Sequence, residues 1–70
     1  MAKNTYEKNL ERVKQAISEL NKNRVYRSKE LKKILMEKTG LSEPLITQYI
    51  PVLIRGGYLE RIRMGYYRIC

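Results

Sequence analysis

Histidine, aspartate, tryptophan and phenylalanine are missing from this 70-residue chain, and cysteine occurs once, as Cys70. Transition-metal centres are built from clustered His and Cys, and general acid-base catalysis needs His or a carboxylate pair set in a cleft. Neither can be assembled here. All seven acids are glutamates, and six of them (Glu7, Glu11, Glu19, Glu30, Glu37 and Glu60) lie within a few residues of Lys or Arg. That is the pattern of solvated, salt-bridged faces. The expectation is a protein that is not an enzyme and has no metal, no cofactor and no small-molecule ligand.

Long apolar runs are missing too. The longest stretch without a charge, Pro44 to Ile54, is 11 residues and holds Thr47, Gln48 and Pro51. A membrane-spanning helix needs about 20 apolar residues, so no membrane partner is expected. Met1-Ala2-Lys3-Asn4 lacks the apolar centre of a signal peptide. One cysteine cannot form an internal disulfide, which fits a reducing compartment. A cytoplasmic protein is expected.

What the chain has in surplus is positive charge. Fifteen Lys and Arg against seven Glu leave a formal net charge of +8. A surface with that surplus attracts polyanions, with nucleic acid or an anionic membrane surface the first class to consider and acidic small molecules the second. Hydrophobic residues at 43% are enough for a core, and the length allows one domain over residues 1–70.

Apolar residues at Tyr6, Leu10, Val13, Ile17 and Leu20 keep to one side of a first helix. Asn4 and Glu7 have the spacing of a capping box at its start, and Asn21-Lys22-Asn23 supplies the stop. Arg24-Val25-Tyr26-Arg27 reads as a brief strand or an extended connection. Ser28 is the expected cap of a second helix with Leu31, Ile34, Leu35 and the stem of Lys38 inward, and Gly40 its C-terminal stop. Ser42 is the expected cap of a third helix, with Pro44 in the first turn and Ile46, Ile50 and Leu53 or Ile54 inward. Pro51 inside that helix predicts a kink or early loosening. Gly56-Gly57 ends it. Tyr58 to Arg63 and Tyr66 to Cys70 then read as a hairpin, with Met64-Gly65 between them and Gly65 supplying positive φ.

This order of elements resembles the winged helix-turn-helix family of DNA-binding domains. The resemblance covers most of the chain and is carried by Ser28-Lys29-Glu30-Leu31, Thr39-Gly40-Leu41-Ser42, the apolar Ile46, Ile50 and Leu53, and Gly57-Tyr58-Leu59-Glu60-Arg61. It implies an α+β, mainly α winged helix: three helices, a short strand after the first, and a C-terminal hairpin wing. It further implies double-stranded DNA as partner, with the third helix in the major groove and the wing on phosphates or the minor groove.

Carried over by resemblance, the recognition positions are Ser42, Pro44, Leu45, Thr47 and Gln48, with Tyr49 flanking. Gln48 has the chemistry to pair with an adenine edge, and Leu45 to pack on a thymine methyl. Family members often carry Arg or Lys on this helix and this chain does not. Electrostatic binding therefore shifts to Arg55, Arg61, Arg63 and Arg68, with Tyr66 beside them, and to Lys29, Lys32 and Lys33. Strand alternation places Arg61 and Arg63 on one side with Leu59. Tyr58 and Tyr67 are expected in the core, and Tyr66 at the surface.

One small domain reads few base pairs, so a homodimer on a two-fold site is expected. The first helix, through Tyr6, Leu10, Val13 and Ile17, is the candidate interface, and the C-terminal strand the second choice. The functional expectation is a sequence-specific transcriptional regulator, associated with a nucleoid or acting in a host cytoplasm if viral. Alternatives are a winged-helix protein-interaction module and a nonspecific nucleic-acid binder.

Overall fold

The computed structural model describes residues 5–70, and the expected cap Asn4 lies outside that range. Six elements follow one another: α1 (Thr5–Ser18), β1 (Val25–Arg27), α2 (Ser28–Thr39), α3 (Glu43–Arg55), β2 (Leu59–Arg63) and β3 (Tyr66–Ile69). The result is a small, mainly helical α+β fold, three helices against a three-stranded antiparallel sheet, consistent with a winged-helix layout. Among the described residues, no helix is long and apolar enough to cross a membrane.

The periodicities read from the sequence become the core. Val13, Ala16 and Ile17 of α1 meet Leu31 and Leu35 of α2 and Ile46, Tyr49, Ile50 and Leu53 of α3, over a sheet face made by Tyr26, Leu59, Tyr67 and Ile69. Leu10, Leu20 and Ile34 pack at its rim. No polar or charged residue is buried among the described residues, so hydrophobic burial and dispersion carry the packing.

The helix ends differ from expectation in instructive ways. α1 stops at Ser18, and Asn21 organises the turn beyond it: its side-chain oxygen accepts from the Asn23 amide at 2.8 Å, while its own amide donates to the Tyr26 hydroxyl at 3.1 Å. Ser28 is not the cap of α2. Arg27 is, with the extended φ of −73° and ψ of 150° left over from β1, and Ser28 is already the first helical residue. Its amide donates instead to the Gly65 carbonyl of the hairpin turn at 2.8 Å. Strand pairing reaches to the edge of the helix, which leaves no residue between the two to cap. Gly40 ends α2 as expected, at φ 74°, with its amide on the Met36 carbonyl at 2.8 Å.

Ser42 does occupy the cap position of α3, but its hydroxyl makes no capping hydrogen bond. Pro44 lies in the first turn, and the helix runs unbroken through Pro51 to Arg55. The expected loosening does not end it. Pro51 is exposed, so the Thr47 carbonyl it leaves without an amide partner is on a solvent-facing side of the helix.

The sheet order is β1-β3-β2, which makes β3 the central strand. Opposite residues are Tyr26 and Tyr67, Arg27 and Tyr66, Leu59 and Ile69, Glu60 and Arg68, Arg61 and Tyr67, and finally Arg63 and Tyr66. Between Arg61 and Arg63 the register slips, so Ile62 is an extra residue in a β-bulge. Gly65 closes the hairpin at φ 82°, a value that favours glycine.

Candidate nucleic-acid interface

α3 buries one side and leaves the other free. Pro44, Gln48, Pro51 and Arg55 follow a four-three-four spacing along the exposed side, with Thr47 beside them; all five are exposed. Ser42, just before the helix, is exposed as well, and Leu45 is half-buried. The six expected recognition residues thus divide: Ser42, Pro44, Thr47 and Gln48 are free, Leu45 straddles the rim, and Tyr49 belongs to the core. Tyr49 is 1% exposed, so it is not available to flank a bound duplex. Its place follows from the helical period, since position 49 falls between the inward Ile46 and Leu53. Its ring lies 5.2 Å from that of Tyr6, tilted by 53°.

The bulge redistributes the hairpin arginines. Up to Arg61 the strand alternates normally, which puts Arg61 on the side of Leu59 and Tyr67. The extra residue Ile62 then turns Arg63 to the opposite side, across from Tyr66, where its guanidinium lies 4.8 Å from the ring centroid. The simple alternation that grouped Arg61 with Arg63 is corrected by this inserted residue. Both side chains are exposed, one on each side of the ribbon.

On the outer side of the sheet, opposite the helices, stand Val25 and Arg27 of β1, Tyr66 and Arg68 of β3, and Glu60 and Arg63 of β2. Arg68 is ion-paired with Glu60 directly across the strands. Arg24 is likewise held by Glu30, and Lys38 by Glu19 at 3.0 Å. None of these pairs engages Arg27, Arg55, Arg61, Arg63, Lys29, Lys32 or Lys33. Arg27 is a cation of this surface that the sequence reading passes over; its alternation with Tyr26, whose aromatic ring faces the core, was the available signal.

The hydrogen bond from Ser28 to Gly65 joins this ribbon to the helical side of the site. It brings the hairpin turn against the first turn of α2, where Lys29 begins a surface stripe with Lys32 and Lys33 at helical spacing. Lys29 and Lys33 are exposed and Lys32 is half-buried. The hairpin tip itself is apolar: Met64 is 90% exposed and Ile62 45%.

Comparison with known protein families, with curated proteins and with solved structures finds no match for this chain. Its surface chemistry is therefore the basis for reading its function. Among the described residues, no three His, Cys, Asp or Glu side chains converge as metal ligands.

The expected dimer surfaces are also revised. Val13 and Ile17 are 0% and 2% exposed within the single chain, so they are core and not interface. Only Tyr6, which is exposed, and half-buried Leu10 remain of that stripe. The C-terminal strand β3 is flanked on both sides, and the free edges belong to β1 and β2. Tyr58, expected in the core, is exposed, with the Lys14 ammonium 5.0 Å from its ring centroid. Tyr67 is core as expected, and Tyr66 is half-buried under Arg63.

Proposed function

We propose that this protein binds double-stranded DNA sequence-specifically as a homodimeric regulator, with the free side of α3 in the major groove and the hairpin on phosphates or the minor groove. The observation that carries the reading is the exposed side of α3: Thr47 and Gln48 stand clear of the rest of the chain, on a helix anchored by four buried residues. A helix so held presents hydrogen-bonding side chains without ordering them at the moment of binding. The +8 charge supplies the sequence-independent attraction, and Arg55, Arg61, Arg63, Lys29, Lys32 and Lys33 are cations on which it is displayed. Such a protein would act in the cytoplasm, at a nucleoid or on viral DNA in a host.

The absence of Lys and Arg between Ser42 and Ile54 favours a second reading, a module that docks a protein on the uncharged face made by Pro44, Leu45, Pro51 and Val52. Selection of bound duplexes from a random pool decides between them. Enrichment of a palindrome supports the dimeric regulator; no retention of any duplex at low salt overturns it in favour of the module. Retention without sequence preference leaves a nonspecific binder.

A further inference from the structure

The least buried apolar side chain among the large hydrophobics of the described residues is Met64, 90% exposed at the turn of the hairpin. It does not stand alone. Ile62, two residues before it, is 45% exposed because the bulge expels it from the pairing. A hairpin tip of a basic chain has polar alternatives at both positions, so the paired exposure of Met and Ile calls for a function.

The surroundings of this tip define what it fits. Arg61 and Arg63 flank Ile62 in the strand and lie on opposite sides of the ribbon, and neither joins the ion pairs described above. A ribbon that is apolar at the end and cationic on both sides matches a duplex minor groove: stacked bases at the floor, a phosphate wall on either side. The tip is also braced. The Gly65 carbonyl is held by the Ser28 amide at 2.8 Å, Gly65 adopts a φ of 82°, and Arg63 lies over Tyr66. Apolar side chains at a braced turn can push neighbouring base pairs apart, which a loose loop would fold away from doing.

We infer that Met64, supported by Ile62, is a wedge that enters the minor groove between adjacent base pairs and kinks the DNA, while Arg61 and Arg63 engage the phosphates of opposite strands. The inference rests on the DNA-binding reading above. It adds to that reading a site for shape-dependent specificity, because pyrimidine-purine steps such as TA unstack most easily. Selectivity would then be exerted at a step that α3 never touches.

The test uses the full chain and a duplex of about 30 base pairs with central TA steps, carrying a fluorophore pair at its ends and 2-aminopurine at one step. The wild-type chain is expected to shorten the end-to-end distance, with a kink of roughly 20–90°, and to raise 2-aminopurine emission as the step unstacks. Met64→Ser is expected to abolish both signals and weaken binding about tenfold, whereas Met64→Leu keeps both, since leucine also serves as a wedge. Because Met64 is exposed, neither change disturbs the core; circular dichroism verifies the fold.

Binding by Met64→Ser with an undiminished kink, or wild-type binding to a straight duplex, overturns the wedge alone and leaves the DNA-binding reading standing. No duplex binding at low salt by the wild-type chain overturns both. Binding of phosphatidylglycerol vesicles that depends on Met64, with no affinity for duplex, also overturns the wedge and assigns the tip to a lipid surface.

Discussion

The amide of Ser28, first residue of α2, donates to the carbonyl of Gly65 in the hairpin turn at 2.8 Å. This one bond joins residues 37 positions apart and sets the hairpin against the helix that carries Lys29, Lys32 and Lys33. It also occupies an amide that helices ordinarily leave to a cap or to water.

Ser28→Pro isolates that bond. Proline is normally welcome at the first helical position, and Arg27 before it already has the extended backbone that proline imposes on its predecessor. The replacement is nonetheless expected to destabilise the chain by about 1 to 2 kcal/mol, since it removes the donor to Gly65 and crowds the carbonyl. Urea unfolding measures the loss. A variant as stable as the wild type would show that the bond contributes nothing.

Pro51→Ala is expected to act in the opposite direction. Alanine restores an amide for the Thr47 carbonyl and is favoured over proline by about 3 kcal/mol inside a helix. Against this stands the smaller unfolded-state entropy of the proline chain, worth about 0.4 to 1 kcal/mol. The difference is a net gain of about 2 to 2.6 kcal/mol. Thermal unfolding of the two chains side by side reads it, and an unchanged midpoint would mean that α3 already accommodates the proline without strain.

Charge carries a prediction of its own. If each protomer neutralises four or five phosphates, log K against log salt falls with a slope of about −7 to −9 for a dimer. Arg61→Glu with Arg63→Glu is expected to abolish duplex binding at moderate salt, yet to leave the fold intact because both side chains are exposed. Anisotropy titrations at several salt concentrations give the slope. Retained duplex affinity in the double variant would show that cations other than Arg61 and Arg63 hold the backbone.

On the proposed DNA-binding reading, sequence discrimination falls to α3. Gln48→Ala is expected to reduce the preference for the selected duplex over a scrambled one by about 1 to 3 kcal/mol, with little effect on affinity for the scrambled competitor. A parallel loss on both duplexes would show that Gln48 serves the backbone and not a base edge.

Much of this architecture is legible without coordinates because it depends on local periodicity. Leu31 and Leu35, or Ile46, Ile50 and Leu53, lie on one helical face by spacing alone, and a glycine at position 40 or 65 marks a backbone that other residues rarely adopt. The net charge is likewise a property of composition, and it directs attention to polyanions.

Pairing between distant segments is another matter. The bulge at Ile62 exists because Arg61 and Arg63 are matched to adjacent residues of β3, Tyr67 and Tyr66, and a strand read alone gives no sign of its partner's count. That mismatch sent the two arginines to opposite sides. The exclusion of Ser28 from capping and the loss of Val13 and Ile17 to the core have the same origin. Each depends on which surface of another element arrives to cover it, a matter of packing in three dimensions that the order of residues along one helix or strand does not contain.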